Sequence, residues 1–231
     1  MHLGRKLALA ASIALLLLPV PAAFAAGDLE SVLHKLDTAA ANFHSTTADF
    51  EFDSVQTDPI PDKDIQKGTV YYERKGSAFQ IGIHIREVNG KVVPKIITVS
   101  RGVFKLFERM VNQVTTSTKV SKYEGYLGLG FGASGKDLAN KWDIKYEGSE
   151  KINNVETEKL ELVAKDPSIL KLFPKVTIWI DPERAVTLKQ VFDEGPGQSR
   201  TCLYSNIKVN QPLPSDAFTF KTDSQTQYIN R

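Results

Sequence analysis

Apolar residues along the chain follow three successive rhythms. From Leu7 to Leu18 they are nearly continuous. Over residues 28–43, Leu29, Val32, Leu33, Leu36, Ala40 and Phe43 recur at i, i+3, i+4 and i+7. That spacing predicts an amphipathic helix of about four turns, with Asp28 as N-cap and Glu30 in its first turn. Beyond it the period drops to two. Phe50 and Phe52 alternate with Asp49, Glu51 and Asp53, Val70 and Tyr72 lie in a similar run, and Phe79, Ile81, Ile83 and Ile85 alternate with Gln80, Gly82, His84 and Arg86. These are half-buried strands, and Asn89-Gly90 is a hairpin turn signal.

Further strands are expected over 94–101, 103–108, 112–120, 142–148, 155–164, 175–181, 185–193 and 200–209, separated by turn residues such as Asn153-Asn154, Asp181-Pro182 and Gly195-Pro196-Gly197. Without an alternating helix pattern to support parallel crossovers, this predicts a mainly β fold built on one large antiparallel sheet, curled or closed. Two stretches break the pattern. Residues 121–141 hold Gly125, Gly128, Gly130, Gly132 and Gly135 among large apolar side chains and end in a helical KDLANK stretch. Residues 166–174 read as a short helical turn capped by Asp166, with Pro167 at its first position.

The first rhythm carries targeting information. Arg5 and Lys6 precede the apolar run, and Ala23-Phe24-Ala25 follows it, which is the layout of a cleavable export signal too short to span a bilayer. Removal of residues 1–25 takes the 29 basic residues to 27, equal to the 27 acidic ones. The expected mature product, residues 26–231, is therefore one neutral domain, with no bulk charge for nucleic acid and no disulfide, since Cys202 is the single cysteine. It is expected to be a monomer.

Candidate chemistry is sparse. Gly130-Phe131-Gly132-Ala133-Ser134-Gly135-Lys136 fits seven positions of a phosphate-binding loop, but Asp137 stands where Ser or Thr should hold magnesium. A hydrophobic lid or loop is the stronger reading. His34, His44 and His84 fall on separate elements without ligand spacing and read as solvated, so no metal or other cofactor is expected. Cys202 reads as a small buried strand residue. No pair of carboxylates and no serine motif stands in a recognisable catalytic context, so nothing signals an enzyme. One face of the presumed sheet gathers Phe50, Phe52, Tyr72, Phe79, Ile81, Ile83, Ile85, Ile178 and Ile180. These side chains either fill a core under the N-terminal helix or wall an apolar ligand cavity, and periodicity does not separate the two.

Three stretches resemble the periplasmic outer-membrane lipoprotein carrier family, the LolA type. The first is Gly68-Thr69-Val70-Tyr71-Tyr72-Glu73-Arg74, followed by Phe79. The second runs from Ile97 through Ser100-Arg101-Gly102 and Leu106-Phe107-Glu108 to Gln113-Val114-Thr115. The third contains Asp193, Gly197-Gln198, Asn206 to Asn210 and Phe218-Thr219-Phe220. They occur in the family's order, with departures at Lys75, Arg101 and Arg109 and a tail after Phe220 that lacks the family's ending.

The resemblance implies an incomplete β-barrel closed by the N-terminal helix and short lid helices, with lipoprotein acyl chains held between sheet and lid. It implies transfer from an inner-membrane lipoprotein-releasing transporter to an outer-membrane receptor or the outer membrane itself. Arg74 matches the family's strand-end arginine, which implies a hydrogen-bonding role in holding the lid; the alternative is a surface arginine paired with Glu73 or Glu124. Tyr123, Tyr126, Leu127, Leu129 and Phe131 are expected to flank the cavity mouth. Two other functions fit the sequence: a lipid-binding sensor or regulator of the same fold, and an envelope hydrolase.

Overall fold

The computed structural model describes residues 26–76, 78–119 and 129–231. Helix α1 (Ala26–Ala41) leads into a 12-stranded sheet whose strands are β1 (Ser45–Gln56), β2 (Asp62–Lys75), β3 (Ala78–Val88), β4 (Lys91–Ser100), β5 (Val103–Glu108), β6 (Gln113–Ser117), β7 (Trp142–Ile152), β8 (Val155–Ala164), β9 (Lys175–Asp181), β10 (Val186–Gly195), β11 (Gln198–Val209) and β12 (Gln227–Asn230). Helix α2 (Gly135–Lys141) precedes β7, and α3 (Pro167–Leu172) joins β8 to β9.

The sheet order is β12-β6-β5-β4-β3-β2-β1-β11-β10-β9-β8-β7, so the strands at its two ends do not pair and the curl stays open. Neighbours are antiparallel except β12, which adds to β6 in parallel. The open, helix-covered β architecture expected from the sequence is the one found. Strand β12 was not expected, because four residues at the chain end carry too short a pattern to stand out.

Local rules explain several boundaries. At the β3–β4 turn Asn89 and Gly90 both take positive φ, 51° and 74°, as a two-residue primed turn requires. Helix α1 begins at Ala26, which places Asp28 in its first turn rather than at the cap, and it stops at Ala41; Phe43 enters the core just beyond it. At α2, Ser134 is the cap, its Oγ accepting from the Asp137 amide at 3.0 Å. Asp137 is thus a first-turn acid of a capped helix rather than a failed magnesium ligand. The glycines of this loop serve close packing. A Cβ on Gly135 would lie 2.2 Å from the Leu33 carbonyl oxygen of α1, and one on Gly132, at φ +65°, would lie 2.2 Å from the Phe43 ring.

The inner face of the sheet divides into two apolar clusters. Over β7–β9, α1 contributes Val32 and Leu36, α2 contributes Leu138 and α3 contributes Ile169, which pack on Leu160, Leu162, Val176, Ile178 and Ile180. Over β1–β4 and β11 the cluster holds Phe50, Val70, Tyr72, Ile81, Ile85, Cys202 and Tyr204, with Phe43 and Phe131 laid across it. Helices fill the first half and leave the second only partly covered.

Candidate functional site

Between the two clusters lies a cavity of about 540 Å³. Its wall is formed by Phe50 and Phe52 of β1, Val70 of β2, Ile83 and Ile85 of β3, Ile97 of β4, Phe192 of β10 and Cys202 and Tyr204 of β11. Ile169, Leu172 and Phe173 close one side from α3 and the residue after it, and Leu129 and Trp142 close the lid side. The strand residues face inward because each alternates with a polar outward neighbour. The few polar groups on the wall have partners: Gln190 Nε2 donates to the Leu129 carbonyl at 2.6 Å, Tyr204 Oη donates to Gln190 Oε1 at 3.2 Å, and Arg200 pairs with Glu194 at 3.0 Å. Little is left unpaired to attract water or a charged ligand.

A second cavity of about 440 Å³ shares Leu129 and Trp142 with the first and is lined by Tyr72, Arg74, Phe79, Phe131, Asp137 and Leu138. Arg74 ties the coverings together here. Its Nη1 donates to the Ala40 carbonyl at the end of α1 at 3.2 Å, its Nη2 donates to the Gly132 carbonyl of the lid, and its guanidinium lies 5.7 Å from the Phe43 ring centroid. Glu73 does not pair with it, being engaged by Lys75 and Gln80 instead, and Glu124 lies outside the described residues.

The lid base is also held by the backbone. The Gly132 amide donates to the Ala185 carbonyl and the Thr187 amide to the Gly130 carbonyl, both at 2.7 Å. Phe131 meets Tyr204 edge-on, with ring centroids 5.0 Å apart, and stacks on Tyr72 at 6.2 Å. Arg74→Met should remove the donor to the Gly132 carbonyl and one of two donors to the Ala40 carbonyl, which keeps the Phe43 amide, without adding a clash. The expected result is faster hydrogen exchange at 129–135 and at the end of α1, with the sheet core unchanged; equal protection in both proteins would mean that the backbone pairing alone holds the lid.

The residues singled out from the sequence therefore fall into five groups. Phe50, Phe52, Ile83 and Ile85 line the larger cavity, Tyr72, Arg74, Phe79 and Phe131 the smaller, and Leu129 both. Ile81 is buried in the cluster behind those walls. Ile178 and Ile180 are wholly buried in the packed half and are core residues, because Val32 and Leu36 of α1 and Ile169 of α3 join the same cluster. Tyr123, Tyr126 and Leu127 lie outside the described residues. Sequence reasoning missed Phe192, Gln190 and Tyr204, although each lies two residues from another inward position on its strand. The contributions of α3 carry no such signal.

Two further expectations change. His84 is half-buried, with its ring 5.0 Å from Tyr71, and burial lowers its pKa from the usual histidine value against the opposing pull of Asp216, so it is not a solvated surface residue. Cys202 is buried as expected, and burial pushes its thiol up to about 12. The folded state therefore favours the thiol. Its stabilising contribution is complete below the ordinary value of 9.0 and is lost as pH rises from there toward 12. Iodoacetamide at pH 8 should leave Cys202 unmodified in the folded protein and label it in urea; labelling at equal rates would place the thiol in solvent.

Comparison with solved structures locates the fold. An uncharacterized conserved protein from Thermus thermophilus superposes with a TM-score of 0.55 at 11% identity, covering 88% of this chain and 99% of its own. MucB superposes equally well, with a TM-score of 0.55, 11% identity and 88% coverage of this chain. This chain shares their fold. It spans 66% of the MucB chain. A LolA superfamily protein, NE2245 from Nitrosomonas europaea, aligns more loosely, with a TM-score of 0.39, 16% identity, and coverage of 83% of this chain and 97% of its own. No protein-family model and no curated protein matches the sequence. At such identities the likeness speaks to architecture alone.

Proposed function

We propose that the protein is a periplasmic carrier that holds the acyl chains of lipoproteins in the larger cavity and moves them from the inner to the outer membrane without chemistry of its own. The observation that carries this reading is an apolar chamber between sheet and lid whose polar groups are already partnered. Burying acyl carbon contributes about 0.8 kcal/mol per methylene, so a lipid anchor needs an apolar host to leave one membrane for another. At about 540 Å³ the chamber lies within the size range of pockets that bury a small apolar ligand. Export through cleavage after Ala25 and exchange with an inner-membrane transporter and an outer-membrane acceptor belong to the same proposal, as does a single domain over 26–231.

Recovery from periplasm followed by intact-mass measurement tests it. Acylated material should co-purify, and the chain should begin at Ala26. Repeated recovery without any lipid or lipoprotein would sink the carrier reading. The second reading, a lipid-binding sensor or regulator of the same fold, is separated from the first by what happens to the lipid. A carrier passes its cargo to acceptor vesicles, whereas a regulator keeps its lipid and changes its affinity for another protein.

A further inference from the structure

Among the described residues, six of the eight large apolar side chains exposed to solvent gather at one place, Leu203 and Tyr228 being the other two. Ile60, Val92, Met110, Val111, Leu170 and Leu172 are between 40% and 76% exposed, and strand register brings all six to one rim of the sheet. Gln56 pairs with both Asp62 and Gln198, which sets the β1–β2 turn, carrying Ile60, beside the β10–β11 turn. Gln66 opposite Val88, and Val88 opposite Lys91, put the β3–β4 turn and Val92 at the same end. Lys95 opposite Glu108 brings the 3-10 turn Arg109–Val111 there as well, against β4. Asp193 opposite Lys175 adds α3 with Leu170 and Leu172. Leu172 also lines the larger cavity, so this rim borders the chamber.

Charge on the rim is arranged to match. Lys91 precedes Val92, Arg109 precedes Met110 and Val111, and Lys171 lies between Leu170 and Leu172. These three cations are exposed and form no ion pair among the described residues, whereas Lys63, Lys95, Lys175 and Arg200 on or near the same rim are each paired with a carboxylate. Acids on this rim are engaged in ion pairs or turn hydrogen bonds, Glu108 with Lys95, Asp223 with Asn112, Asp166 with the Ser168 amide and Asp64 with Asn89, while Asp58 and Asp62 flank Ile60. Single apolar tips on four separate turns do not make the continuous packed patch of a protein interface. They do suit a fluid apolar layer beneath an anionic surface, where each tip finds its own depth.

We infer that this rim docks on an anionic lipid bilayer, with the four apolar tips inserted at the interface and Lys91, Arg109 and Lys171 against its phosphates. The inference deepens the carrier reading by naming the surface on which the chamber is brought to the membrane, and rests on that reading for its purpose. Neutral bulk charge does not oppose it, because salt restricts the attraction to charges within about 10 Å of the lipid.

Flotation with vesicles of phosphatidylethanolamine and phosphatidylglycerol, against vesicles of phosphatidylcholine alone, tests the inference without cargo. The protein should float with the anionic vesicles, and added salt should weaken the binding. Each cation near such a surface is worth roughly fivefold in affinity, so the triple variant Lys91→Gln, Arg109→Gln and Lys171→Gln should bind about a hundredfold more weakly. Val92→Asp with Met110→Asp and Leu170→Asp should lose at least about tenfold. Leu203→Asp, at an exposed apolar position on the outer face of β11, should bind like the parent, and circular dichroism should show all variants folded. A parent protein that never floats, rim variants that float like it, or an equal loss from Leu203→Asp would each overturn the docking surface. Acylated material retained by rim variants that no longer float confirms docking separately from the cavity. Flotation by a parent that never carries lipid would sink the carrier reading and leave the surface standing.

Discussion

Ile83→Asp is expected to abolish retention of acyl cargo while leaving the sheet folded. Ile83 is half-buried on the cavity wall, opposite Val70 on β2 and Ile97 on β4, which line the same cavity. A carboxylate there meets apolar neighbours, and Arg200, also on the wall, is already held by Glu194. Stripping it of water costs several kcal/mol, so it either draws water into the chamber or stays protonated with a raised pKa. Displacing even four methylenes from such a wall removes about 3 kcal/mol, or roughly a hundredfold in retention.

Binding of a fluorescent fatty acid, read against pH, measures the effect. The neutral acid is the tolerated form, so retention should recover as pH falls through the raised pKa. The outward control on the same strand is Gln80→Ala. Gln80→Glu would be a poor control, because Gln80 donates to Glu73 and the change would set two carboxylates together. Equal losses from Ile83→Asp and Gln80→Ala would mean that the inward face has been misassigned.

Gly82→Val is expected to lift the C-terminal segment off the outer face of the sheet. A Cβ at Gly82 would lie 1.8 Å from the Ala217 carbonyl oxygen, and backbone faces it there rather than the end of a flexible side chain. The strand cannot retreat, since β2 and β4 hold β3 from both sides. The segment must therefore move, with loss of the Ala217 burial and of the Phe107–Phe220 stack, whose ring centroids lie 5.1 Å apart. Overpacking of ordinary cores costs about 1–3 kcal/mol, and a clash between two backbones belongs at or above the top of that range. Limited proteolysis should cut the variant between 210 and 226 much faster than the parent. Unchanged cutting would show that the segment is not seated by contact at Gly82.

Much of this architecture is legible residue by residue. The alternation from Phe79 to Ile85 sets both strand and face, Asn89-Gly90 sets its turn, and Asp166-Pro167 opens α3, its carboxylate accepting from the Ser168 amide at 2.7 Å. These signals are local, and the backbone obeys them locally. The same alternation runs through Ile83 and through Ile178, yet one side chain walls a chamber and the other lies in solid core. Nothing in either strand distinguishes them. The difference comes from which strands α1, α2 and α3 cover, a long-range matter settled by chain connection and volume.

The docking rim has the same origin. Val92, Met110 and Leu170 stand far apart in sequence, each beside its own cation, and read singly they are ordinary exposed side chains. Antiparallel register is what gathers them. The chain's pattern thus determined the strands, the turns and the apolar character of the inner face, because each depends on neighbours within a few positions. Tertiary structure alone decided where that face is filled, where it is hollow and which turns share an edge, because those follow from contacts between segments scores of residues apart.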